Sequence, residues 1–216
     1  ARLNALLTEI GQRWQGVRAL RGQVDQLSVS TPDALAHYTQ LNGALMTLVG
    51  ELAQLTSQGS ITRQLAAYYN LLEAKDLAGI ERALLSGVFA ADAMPDSTLQ
   101  RLLSLVGAEA SFLEAYRVLS DDTQRDALSQ ALSGPEIERV LARRSLAIAQ
   151  RSDYGVDPEE WFDWQTVKIG RLKGLEDSAA TAIMTTTEAL KQQAQQALWW
   201  YLGVAVLSTA VAVGIA

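Results

Sequence analysis

Apolar residues return every three or four positions along almost the whole chain, and strand-like alternation is nearly absent. Leu3, Leu6, Leu7, Ile10, Trp14, Val17, Leu20, Val24 and Leu27 form the first such stripe and predict a helix over residues 1–27. Ser30-Thr31-Pro32-Asp33 stops and restarts the pattern, with a capping hydroxyl followed by a proline where a new helix has no N–H to lose. A second helix then runs to about Leu55, and Ser57-Gln58-Gly59-Ser60 breaks it. The third helix spans about 61–91 and ends at Asp92-Ala93-Met94-Pro95-Asp96. A fourth, capped by Ser97, reaches Leu119. Ser120-Asp121-Asp122 opens a short fifth, and Gly134-Pro135 separates it from a sixth near 136–151. From Pro158 the helical period runs on to Ala216, which is roughly 90 Å at 1.5 Å per residue. Short links between amphipathic helices make antiparallel neighbours. The predicted fold is therefore all-α, built of long antiparallel bundles that share long helices.

The end of that last helix changes the picture. Leu198 to Ala216 carries no charge and is about long enough to cross a bilayer as a helix. Trp199, Trp200 and Tyr201 stand at its start, where aromatic rings mark a water–lipid boundary. The expected division is a water-exposed helical domain at 1–197 and a transmembrane helix at 198–216. A buried C-terminal helix that caps the core is the other reading of the same run.

The whole chain has 216 residues, 49% of them hydrophobic, and a net charge of −6. No basic cluster suggests a nucleic-acid partner, since phosphate binding needs a concentrated cationic face. There is no cysteine and one histidine, His37, so thiolate chemistry and Cys/His metal sites have no material. No nucleophile–base set is apparent, and the reading is of a non-enzyme with no cofactor.

The chemistry that stands out is cationic. Tyr68, Leu72, Lys75, Gly79, Arg82 and Ser86 share one helical stripe, so two cations flank a glycine on an otherwise apolar or aromatic face. Buried cations need anions, supplied by protein or by ligand. Trp161, Trp164, Lys168 and Arg171 share a second stripe, where a guanidinium among indoles suits a small planar oxyanion. Ion pairs within the bundle are the plainer reading of the first stripe, and core tryptophans with snorkelling cations at the edge are the other reading of the second. Arg144, on the stripe of Ile137, Leu141 and Ile148, reads as a bundle ion pair. Gly79, and the pair Gly170 and Gly174, are expected where a neighbouring helix approaches closely.

The block Leu72-Glu73-Ala74-Lys75-Asp76-Leu77-Ala78-Gly79-Ile80-Glu81-Arg82-Ala83, followed by Val88-Phe89-Ala90, resembles the signature of nitrate- and nitrite-sensing domains. Trp161-Phe162, Thr166-Val167-Lys168-Ile169, Leu172 and Leu175-Glu176 are similar to that family's final-helix pattern. The resemblance covers most of residues 1–195. Asp76 stands where glutamate is usual, and the arginine-bearing first-helix segment of the family does not occur in this sequence. The resemblance implies two helical bundles holding a small anion between helices without performing chemistry. With the apolar run it implies the sensor of a membrane receptor, periplasmic and anchored in a bacterial inner membrane, and a homodimer. The site expected on this basis is Arg171, Arg82, Lys168 and Lys75, binding a nitrate-like oxyanion and passing a helix shift to a following module. A membrane-anchored structural or interaction bundle without a small ligand is the alternative.

Overall fold

Seven helices follow one another in the computed structural model, which describes residues 2–215, with side chains described for all but 31, 32 and 206–215. They are α1 (Arg2–Asp25), α2 (Thr31–Leu55), α3 (Gly59–Ala91), α4 (Asp96–Leu119), α5 (Asp122–Ala131), α6 (Pro135–Ala149) and α7 (Pro158–Ile215).

The breaks between them have local causes. Ser30 accepts a hydrogen bond from the Asp33 N–H at the start of α2. Asp92 closes α3 in the left-handed region at φ 47°, its N–H bonded to the Phe89 and Val88 carbonyls. Its carboxylate accepts from the N–H groups of Tyr154 (3.0 Å) and Asp153 (3.2 Å), tying the α3–α4 turn to the α6–α7 loop. Asp121 and Gln124 form a reciprocal capping box at α5. Gly134, at φ 97°, makes the turn into α6, where Pro135 takes the first helical position. Ser97 does not cap α4: the helix already begins at Asp96, and Pro95 holds the cap position without a side-chain bond.

Two apolar cores share α3, α4 and α7. The first gathers Leu85, Val88, Phe89, Leu102, Val140 and Trp161 from α3, α4, α6 and α7. Phe89 meets Trp161 and Tyr154 edge to face, at 5.6 and 5.4 Å between ring centres. The second gathers Ala67, Leu71, Ala78, Tyr116, Leu128 and Leu172 from α3, α4, α5 and α7. Helix α2 packs on α3, and α1 on α2. The ion pair Arg2–Glu51 (2.7 Å) and the Arg13–Gln40 hydrogen bond (2.8 Å) clasp α1 to α2. Only Val17 and Leu20 of α1 are buried.

The helical period read from Pro158 onward is seen as one element, α7 passing through residues 197 and 198 without a break. Two expectations are corrected. Among the described residues no helix is long and apolar enough to cross a membrane, so the transmembrane helix expected at 198–216 is not found, and the side chains of 206–216 lie outside the described residues. Trp199, Trp200 and Tyr201 are each about three-quarters exposed. Finally, a β-carbon at Gly79, Gly170 or Gly174 would meet nothing within 4 Å, so no neighbour uses these glycines for close approach.

Candidate functional site

Four charged side chains fall on the apolar stripes of four different helices. Glu81 stands between Ala78 and Leu85 on α3, and Glu109 between Val106 and Leu113 on α4. Arg144 follows Val140 on α6, and Lys168 stands between Gln165 and Leu172 on α7. Turning each stripe inward carries its charge inward with it. Glu81, Glu109 and Lys168 are 1%, 3% and 3% exposed. Arg144 grips Glu81 through two hydrogen bonds, Nε to Oε1 at 2.6 Å and Nη2 to Oε2 at 2.5 Å. The same Nη2 donates to Glu109 Oε2 at 2.5 Å, and Lys168 Nζ lies 2.5 Å from Glu109 Oε1. Gln165 donates to Glu81 and to the Ala78 carbonyl, each at 3.0 Å.

The quartet holds two acids and two bases, so the buried charge cancels. Burial alone would push the Arg144 guanidinium down, but its bonds to Glu81 and Glu109 outweigh that and hold it above its ordinary value. Burial lowers the Lys168 ammonium, and the nearby Glu109 carboxylate opposes that without reversing it. Arg144 is thus the bundle ion pair its stripe suggested. Lys168, expected to face an anionic ligand, faces Glu109 instead.

The other expected site residues lie apart and share no partner. Arg171 donates to the Ser133 carbonyl and to Glu136 (2.8 Å), beside a cleft of about 520 Å³ between α5 and α7. It is not set among indoles: Trp164 receives the guanidinia of Arg139 and Arg143 at 5.6 and 5.7 Å from its ring centre. Lys75 pairs with Glu176 in a cavity between α2, α3 and α7.

Arg82 differs from all of these. Its guanidinium lies 4.2 Å above the Phe162 ring, and Nη1 donates to Thr166 Oγ1 at 2.7 Å. Among the described residues no carboxylate pairs with it. Partial burial holds its pKa below the ordinary arginine value. Its own carbonyl accepts from Trp161 Nε1 at 3.0 Å, so both ends of the residue are tied to the first turns of α7.

Sequence reasoning missed Glu109 and Gln165, and left Glu81 without its partner Arg144. The signal was present: each is a polar residue at helical spacing from buried apolar neighbours, as Arg144 is. His37 is exposed on α2.

Helices stacked around two cores and tied by a neutral buried ion cluster define the class as an all-α helical bundle. The nitrate and nitrite sensing family matches residues 1–184, and the chain belongs to that family. A protein of Klebsiella oxytoca named nitrate regulatory protein is 25% identical over 173 residues, covering 80% of this chain and 43% of that protein. The solved structure of the NasR transcription antiterminator superposes with a TM-score of 0.79 at 23% identity, covering 88% of this chain and 52% of that one. At that identity the likeness shows the fold alone. The chain spans about half the length of these relatives.

These findings correct the expected setting. A periplasmic sensor in an inner membrane does not stand, because no described helix can cross a bilayer and the relatives are named as a nitrate regulator and a transcription antiterminator. Neither name speaks of a membrane, a dimer or an enzyme.

Proposed function

We propose that residues 1–197 form the sensing unit, and that nitrate or nitrite is read there by a guanidinium without a carboxylate partner, with Arg82 as its principal contact. The observation that carries this is the pairing pattern. Of the four cations expected at the site, Lys75, Lys168 and Arg171 are each paired with a glutamate, whereas Arg82 is held by a hydroxyl and a ring. A half-buried guanidinium with free N–H groups suits a planar oxyanion that accepts two parallel hydrogen bonds. Arg171 is the second contact, reached if the anion displaces Glu136 from its cleft. Lys168 and Lys75 then act only at a distance, through the field of their ion pairs.

Arg82 sits on α3 and touches α7, so an anion drawn to it acts on the contact between the two long helices. A ligand shifts that contact only by its preference for one arrangement over the other. A 100-fold preference corresponds to about 2.7 kcal/mol.

Titration calorimetry with nitrate and nitrite tests the reading. Arg82→Ala should weaken binding about ten-fold or more, and Arg171→Ala by less. Wild-type affinity in Arg82→Ala removes Arg82 from the site. The second reading, a helical bundle that takes no small ligand, is favoured by the three cations already paired, and absence of any heat with the wild-type chain would select it.

A further inference from the structure

A cavity of about 320 Å³ opens where α2, α3 and α7 meet. Lys75, one of its lining residues, lies two helical turns from Arg82 along α3. Leu45, Met46 and Val49 of α2 and Leu72 of α3 give it an apolar floor. Its polar wall is acidic on balance. Lys75 is paired with Glu176, and Lys173 reaches Glu176 from outside at 3.3 Å while also held by Asp177. Asp76 accepts one hydrogen bond, from the Asn42 amide at 2.7 Å, and no cation pairs with it among the described residues. Its remaining capacity is that of a half-buried carboxylate facing an apolar pocket.

Such a wall repels an oxyanion and attracts a cation. The volume falls in the range of small-molecule pockets, which are mostly apolar with a few convergent polar groups. We propose that this cavity is a second ligand site, distinct from the anion site at Arg82, and that it takes a small primary ammonium compound with a short apolar body. The ammonium completes Asp76, and the alkyl part lies on Leu45, Met46 and Leu72. The group could belong to a free alkylamine or to an apolar amino acid. In the second case Lys75 has to leave Glu176 for the carboxylate of the guest.

Calorimetry and thermal unfolding of the 216-residue chain, at fixed ionic strength, test this with isoamylamine, leucine and isoamyl alcohol. Isoamylamine or leucine should bind saturably and raise the melting temperature, and isoamyl alcohol should not. Binding of leucine at least as tight as that of isoamylamine assigns the ammonium to an amino acid, and the reverse order to an amine. Asp76→Asn should weaken binding about ten-fold or more with the helical circular dichroism unchanged. Leu45→Trp, which fills part of the cavity from an exposed lining position, should weaken it too, and serves if Asp76→Asn fails to fold. No response to either ammonium compound, an equal response to the alcohol, or wild-type affinity in the folded variants would overturn the proposal. Arg82→Ala should leave the amine response intact, so failure of the nitrate reading and failure of this one are separately visible.

Discussion

Glu109 is the residue on which the buried quartet turns, because its two oxygens face two different cations. Removing one member of a buried ion cluster leaves the rest uncompensated, which costs about 3–5 kcal/mol. Glu109→Gln should lower stability by that order in urea unfolding, since Lys168 loses its counter-charge and Arg144 keeps only its two bonds to Glu81. The paired change Glu109→Leu with Lys168→Met should recover most of the loss, because an apolar pair of similar volume removes the charge and its desolvation together. A double variant no more stable than Glu109→Gln would show that packing, not charge, dominates there. At this scale the sequence showed which side chains turn inward and not what they meet. Arg144 and Lys168 were both legible as cations on apolar stripes. Their partners lie on α3 and α4, and helical periodicity places a residue on a face without saying which residue of another helix stands opposite. Lys168 was therefore assigned to a ligand when a glutamate already held it.

Helix boundaries were the most legible level, because their causes are local. A serine cap, a left-handed aspartate, a capping box and a Gly-Pro turn act within four residues of themselves. The glycines inside helices were misread, since spacing cannot reveal whether a neighbour approaches. With open space beyond each, Gly79→Ala should stabilise the chain by about 0.5–1 kcal/mol, the ordinary gain of alanine over glycine in a helix. Gly134→Ala should act the other way, by about 1–3 kcal/mol, because φ 97° with ψ 172° is a conformation that only glycine enters freely. Thermal unfolding of the two variants side by side checks both signs.

Over the whole molecule, stability is distributed unevenly. Helices α3, α4 and α7 take part in both cores and in the quartet, whereas α1 buries two residues and leans on α2. Amide hydrogen exchange should therefore be fastest in α1 and slowest in the central turns of α3 and α4. Equal protection across α1 and α3 would contradict this distribution. The all-helical architecture was legible from period alone, whereas the setting was not. An uncharged run records a preference for leaving water, and that preference does not name the medium that receives it. The family signature, by contrast, sits on α3 and the first turns of α7, where Arg82, Thr166 and Phe162 meet.

The unbroken course of α7 has a mechanical consequence. Phe162 and Thr166 lie in its opening turns, and Ile215 ends it about 80 Å further on. A rod pivoting near its base by a single degree sweeps its tip through roughly 1.4 Å over that length. An ångström-scale excursion at the far tip thus requires only a small angular change near the base, far less than a visible rearrangement of the fold.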